Sequence, residues 1–479
     1  MTTENYRGSI SENAKQKEAF LARFFSFTEF TALSKIAWPL ILSSLVTMSV
    51  SITDVIMIGK LGTLELASAA AASDFYSVFY YLAAGIAAAL SPMIAQARGR
   101  RQFREIKTIL IQGFLCSALI GIPASLAIYN SSVMLDFIGV QSNIVVTSTP
   151  YSHMMALTLF PMLALSVMHY FLSAANATRI ILYITAASLP VNILGNYLFL
   201  YGSWGAPNLG LAGAGLASAI TGFLMFSSLL VYSLRHKRLK RYFRFPVFSK
   251  KQAAIRLEIF RVGLPIGISH FGEMGVFLFA TVTMGIFGAE ALAAHTIALR
   301  MAGVFYAIPI AYAQAAMVRI GFLYGRGDVF ALNKAISTIL SFSVFAGIFL
   351  LVLLILIKEH LTGLFIGPDQ LTVLVSSQAS LFLIMLAIMQ PSLVIGTIGG
   401  GVLRGFKDSK RPMIYSLTCY WGLGFVGALI LATYAAMGGL GIWIGLISAT
   451  VAFAILVVWR IMNSKIRHIN LEQHIKVAV

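Results

Sequence analysis

Four ionisable side chains sit deep inside long apolar stretches of this sequence: Asp54, Asp74, Glu273 and Arg300. If those stretches cross a membrane, an Asp at helix centre costs about 2.5–3.5 kcal/mol on insertion scales, so such groups point to function. Asp54 stands in ITDVIMIGKLG, six residues before a turn. Its expected companions are Asn192 and Asn196 in LPVNILGNYLF, four residues apart and so on one helix face. A carboxylate beside two carboxamides accepts hydrogen bonds when ionised and donates one when protonated. Burial and hydrogen bonding act in opposite directions on its proton affinity. Such a group can exchange a proton or hold a small cation; the rival role is to join two helices. Glu273 has His270 three residues before it on the same face, where the imidazole can carry a proton or bond the acid. Asp74 and Arg300 occupy equivalent positions in an internal repeat with opposite charges, which predicts an ion pair between the two halves. The alternative is that Arg300 neutralises Glu273. The exchange Asp74→Arg with Arg300→Asp is expected to recover the activity that either single variant loses; a swap that recovers nothing favours the alternative.

The elements that position these groups follow from composition. The chain has 479 residues, 58% hydrophobic and 11% charged, against about 25% charged in soluble domains. A bilayer-spanning helix needs roughly 20 apolar residues. Twelve such stretches are expected, at 34–58, 66–93, 107–129, 146–171, 179–201, 211–234, 258–285, 291–318, 331–357, 373–400, 412–436 and 439–462. Membrane β-barrels show short alternating segments instead, so the fold class is an all-α integral membrane protein.

Residues 31–99 and 257–325 align without gaps at an offset of 226. Lys35 meets Arg261, Pro39 meets Pro265, Gly59 meets Gly285, Gly62 meets Gly288 and Gly99 meets Gly325. Gly210-x-x-Gly213 and Gly438-x-x-Gly441 extend the likeness. The chain therefore divides into an N-terminal segment (1–30), an N-lobe of six helices (31–234), a basic linker (235–256), a C-lobe of six helices (257–462) and a tail (463–479). An even number of helices per lobe makes the repeat parallel, an arrangement of transporters in which two bundles rock about a central site. Pro39 and Pro265 recur in both copies and are expected hinges.

The formal net charge is +18, a value that on its own would suggest a nucleic-acid partner. Its distribution points elsewhere. With the N-terminus inside and twelve crossings, every Lys and Arg except Lys60, Lys358 and Arg300 falls on the inner side. This is the positive-inside pattern; it places both termini in the cytoplasm and leaves no charge that needs a nucleic-acid partner. No cleavable leader is expected, because residues 1–30 are polar and charged and the first apolar run has no early small-residue cleavage site. Cys116 and Cys419 both fall within spans, so neither a disulfide nor a zinc site is expected.

No Walker loop, HExxH or CxxC is present, so neither nucleotide hydrolysis nor metalloenzyme chemistry is expected, and the protein reads as a non-enzyme. Energy would come from an ion gradient, with H+ or Na+ as coupling ion and no other cofactor.

Several motifs then coincide in order: Pro39…Asp54…Gly59, AQARG at 95–99, Asn192-x-x-x-Asn196, Glu273 after Arg261-x-x-x-Pro265, AAHTIAL at 293–299 and LRGFKDSKRP at 403–412. With these the chain resembles the multidrug and toxic compound extrusion (MATE) family, close to its NorM-like bacterial branch. The resemblance implies twelve helices in two pseudo-symmetric lobes, a V-shaped cleft, a bacterial inner-membrane location, and export of organic cations and drugs against H+ or Na+. It places Asp54, Asn192 and Asn196 in an N-lobe coupling site, Ser218 where many members have Thr, and Glu273 in a C-lobe cation site; Asp54 or Glu273 would hold the ion if it is Na+. One departure matters: NorM-like members carry an Asp three residues after a Gln on span ten, where this chain reads Gln390-Pro391-Ser392-Leu393. A hard cation wants several oxygen ligands, so losing that carboxylate shifts weight to proton coupling through Asp54. The alternative function is a lipid-linked saccharide flippase of the same superfamily, against which a single interior Arg argues. The sequence shows no oligomer interface, so a monomer in the bilayer is expected.

Overall fold

The computed structural model describes residues 25–243, 252–363 and 370–463, with side chains of 370–374 left aside. The expected basic groups Arg7, Lys15, Lys17, Arg23, Arg244, Lys250, Lys251, Lys465, Arg467 and Lys476 lie outside the described residues.

Among the described residues, twelve helices are long and apolar enough to span a membrane: α1 (Phe27–Gly59), α2 (Thr63–Gly99), α3 (Phe103–Tyr129), α4 (Ser142–Ala174), α5 (Thr178–Phe199), α6 (Leu211–Arg235), α7 (Gln252–Gly285), α8 (Ala289–Arg326), α9 (Val329–Gly363), α10 (Gln370–Gly405), α11 (Lys410–Tyr434) and α12 (Gly439–Asn463). Each expected apolar stretch has its helix, and no strand occurs among the described residues. The helices overrun the apolar stretches where hydropathy fades but the backbone ladder continues. α1 starts at Phe27, and α8 runs on to Arg326, closed by Gly327 in the left-handed conformation (φ 75°). α9 leaves Phe345, Ile348, Phe349, Val352 and Leu356 exposed. An apolar face of that size suits lipid, and the chain is a multi-pass membrane protein.

The repeat is visible in the backbone. Gly210 before α6 and Gly438 before α12 share a left-handed φ, 53° and 54°. Three residues on, Gly213 and Gly441 lie so close to a neighbouring backbone that a Cβ would sit 2.1 Å from the Phe199 carbonyl oxygen and 2.5 Å from the Ala432 nitrogen.

Two compact units are formed. In one, which comprises residues 38–277 and 407–417, α4 is the hub, packed by α2, α3 and α6, with α5 on α6. In the other, comprising residues 25–37, 278–406 and 418–463, α10 is the hub, packed by α8, α9 and α12. The fourth helix of each half is thus its centre. The units do not follow the halves of the sequence: the opening turns of α1 belong with α8–α12, and most of α7 belongs with α2–α6. Close backbone approach marks the latter attachment, beside buried Ile259, Val262 and Ile266 of α7. A Cβ on Gly85 of α2 would lie 2.2 Å from the Gly267 Cα, and one on Gly263 would lie 2.6 Å from the Ile86 Cα. Small residues at helix crossings supply packing where lipid removes the hydrophobic driving force.

Candidate functional site

α1 and α5 bring the predicted trio together inside the α4-centred unit. The Asn196 Nδ2 donates to Asp54 Oδ1 at 2.5 Å and to Asn192 Oδ1 at 3.3 Å. Four-residue spacing stacks the two carboxamides on one face of α5, as expected. Asn192 and Asn196 are buried, at 1% and 0% exposure, while Asp54 is partly open. Two further contacts fix the geometry. Tyr201 just past α5 donates its hydroxyl to the Met57 carbonyl at 2.7 Å, holding the end of α1. Gly195 packs on Ala217 of α6, where a Cβ would lie 3.0 Å from the Ala217 Cβ. Ser218, next along α6, is half-buried and makes no hydrogen bond to the trio among the described residues.

The Asn196 Oδ1 is buried and has no hydrogen-bond partner among the described residues. Asp54 therefore faces a carboxamide whose donor is used and whose acceptor is open. That arrangement can serve an ionised carboxylate, which accepts from Nδ2, and a protonated one, whose O–H needs an acceptor.

Glu273 forms a second polar centre on α7 in the same unit. Its Oε1 accepts from the Ser416 hydroxyl of α11 at 3.4 Å, and its Oε2 lies 4.0 Å from His270 Nδ1. The His270–Glu273 pairing follows from spacing alone. Ser416, 1% exposed, does not: nothing in KRPMIYSL distinguishes it. Ser416→Ala is expected to slow the activity that Glu273 serves by about two- to fivefold, the scale of one weak hydrogen bond of ~0.5–1 kcal/mol, measured as an initial rate.

Asp74 stands on an exposed face of α2 in the α4-centred unit, and Arg300 on an exposed face of α8 in the α10-centred unit. At the span-ten departure, Leu393 is buried at 7%, and Ser392 turns its hydroxyl to Thr450 of α12 at 2.9 Å. That register is taken up by helix packing.

The other motifs serve structure. Arg98 of AQARG donates to the Ala174 carbonyl at the end of α4, a cation closing orphan carbonyls at a helix C-terminus. His295 of AAHTIAL is fully buried, with Nε2 3.3 Å from the Thr281 hydroxyl and its ring among Phe382 and Trp443. Lys407 of LRGFKDSKRP pairs with Glu258 at 2.6 Å. Among the described residues no cluster of three or more His, Cys, Asp or Glu is arranged to hold a metal.

Comparison with known proteins places this geometry. The MatE family model matches residues 39–198 and again 265–430. The two matches begin at Pro39 and Pro265, the repeat offset read from the sequence. "Probable multidrug resistance protein NorM" of Brucella suis biovar 1 is 33% identical over 439 residues, covering 90% of this chain and 93% of its own length. "Multidrug resistance protein NorM" of Burkholderia vietnamiensis is 31% identical, covering 89% and 92%. Among solved structures, the eukaryotic MATE transporter AtDTX14 superposes with a TM-score of 0.83 at 22% identity, over 93% of this chain and 99% of that one. A MATE protein crystallised in a bent conformation gives 0.82 at 19% identity, over 94% and 98%.

Proposed function

Because the chain belongs to the MatE family, we propose that it is a multidrug efflux antiporter, exporting organic cations in exchange for an inward-moving ion across a bacterial inner membrane with both termini cytoplasmic. The observation that carries this reading is the Asp54–Asn196–Asn192 chain with its open Asn196 Oδ1. A side chain that can take up one positive charge inside a membrane helix is what coupling requires. The relatives' names supply the drug-resistance role.

We take the ion to be H+. A proton needs one carboxylate and one acceptor, and both are present. Sodium would want more oxygen ligands than a carboxylate and two carboxamide oxygens provide, and span ten offers Leu393 in place of an acid. Glu273, held by Ser416 and near His270, adds a carboxylate for the cargo. Aromatic faces attract organic cations, and this unit carries Tyr76 stacked on Tyr80 at 5.8 Å and Tyr151 bonded to Ser73.

The experiment is dye efflux from proteoliposomes under an imposed pH gradient or an imposed sodium gradient. Efflux driven by the pH gradient alone supports proton antiport. Efflux driven only by sodium reassigns the ion, and none under either gradient overturns the antiporter reading.

A further inference from the structure

The opening turns of α1 are tied to α8 and α9 by four contacts, each bridging more than half the length of the sequence. Glu29, its side chain 9% exposed, receives a two-pronged ion pair from Arg319 of α8: Nε to Oε2 at 2.8 Å and Nη2 to Oε1 at 2.7 Å. The Ser26 backbone N–H donates to the Thr338 hydroxyl of α9 at 3.0 Å. Ser34 and Tyr312 share a hydroxyl–hydroxyl bond at 3.0 Å, and Phe30 lies against Phe342, ring centroids 5.2 Å apart. All these residues belong to the α10-centred unit, whose share of α1 ends at Ala37. From Trp38, next to Pro39, the same helix belongs to the other unit and carries Asp54.

This attachment differs from its repeat counterpart at the helix crossing, not in having an ion pair, since the opening of α7 carries Glu258–Lys407. The opening part of α7 sits on α2 through Gly263, Gly267 and Gly85, backbone against backbone. The positions 226 residues away are Ala37, Ile41 and Ala311, which forbid so close an approach. The opening turns of α1, with Leu33 and Ile36 buried, add directional polar bonds, a charge-assisted fork foremost. Such bonds release when their groups find water, and they re-form in one register. Glu29 also lies in the first turn of α1, where an acid is favoured by the helix dipole. An acid and a base placed at the basic-rich, inner end of a transporter helix are suited to contact that is made and broken.

We propose that Glu29–Arg319 is a clasp of the transport cycle, holding the opening turns of α1 on α8 and parting during the cycle. The proposal rests on the antiporter reading, and α1 is the helix that joins the clasp to the coupling carboxylate.

Two measurements on the full chain test it, both with Cys116 and Cys419 replaced by Ala. In the first, Leu33→Cys places a reporter at a position 1% exposed, and its reaction with a membrane-impermeant maleimide is timed. Glu29→Gln and Arg319→Gln are each expected to speed labelling at least threefold, and the exchange Glu29→Arg with Arg319→Glu to restore the slow rate. Equal rates in all four proteins overturn the clasp. In the second, Ser26→Cys with Thr338→Cys is oxidised in proteoliposomes and the disulfide counted by mass spectrometry. Dye efflux is expected to fall below a tenth of the reduced protein's rate and to return with reductant. Undiminished efflux through the cross-linked protein overturns the clasp. If the parent protein moves no dye under either ion gradient, the antiporter reading fails, while the labelling still reports whether the pair holds α1.

Discussion

Asp54→Asn is expected to abolish ion-driven efflux while leaving a folded protein in the membrane. The substitution keeps size and shape, and the new Oδ1 can still accept from Asn196 Nδ2, now 2.5 Å away. The contact between α1 and α5 therefore survives, as does the Tyr201 bond to the Met57 carbonyl. What is lost is the charge that appears and disappears. With no group to take up the ion, the gradient has no state to favour, because a ligand shifts an equilibrium only by its differential affinity for the two states. Losing a coupling free energy of about 3 kcal/mol corresponds to a roughly 100-fold fall in driven efflux. The check is efflux rate per folded transporter, with extraction yield and elution volume matched to the parent. Normal efflux by Asp54→Asn would remove this carboxylate from coupling. Asn196→Ala is expected to fall between Asp54→Asn and the parent, since Asp54 would keep its charge and Asn192 but lose the Asn196 donor and its prospective acceptor together.

The parts of this centre legible in the sequence were those fixed by helical spacing. Asn192 and Asn196 share a face because four residues make about one turn, and His270 stands over Glu273 for the same reason. Asp54 was conspicuous because an acid in an apolar run is costly. Twelve apolar runs and their matched glycines outlined the architecture. Contacts between helices distant in sequence were a different matter. Ser416 meets Glu273 across 143 positions, and a single serine in a membrane helix carries no mark of its partner. Glu29 lies in a segment that reads as polar and cytoplasmic, and Arg319 reads only as an inner-side positive charge; their pairing emerges once α1 is seen to begin at Phe27, well before its apolar stretch. The division into units was hidden for a related reason. A repeat in sequence marks ancestry, whereas compact units are set by packing, and here the opening turns of α1 and most of α7 pack with the opposite half's helices.

That exchange makes the second large effect predictable. Gly85→Ala and Gly267→Ala should each destabilise the protein strongly, although each adds one methyl group. The methyl on residue 85 would meet Gly267 Cα at 2.2 Å, and the methyl on residue 267 would meet the Leu82 carbonyl oxygen at 2.5 Å. Both obstacles are backbone atoms inside helices, with no rotamer to change, so α2 and α7 must separate. Overpacking of this kind costs typically about 1–3 kcal/mol, and more where nothing can yield. Against this stands the helix propensity gained on replacing Gly by Ala, worth about 1 kcal/mol. Gly400→Ala in α10 isolates that gain, because beyond its own turn of helix nothing lies within 4 Å of the added methyl. Thermal unfolding in detergent is therefore expected to show Gly400→Ala at or above the parent and both crossing variants well below it. If Gly85→Ala and Gly267→Ala match Gly400→Ala, the α2–α7 crossing is not the fixed attachment its geometry describes, and the contrast between a rigid α7 and a releasable α1 goes with it.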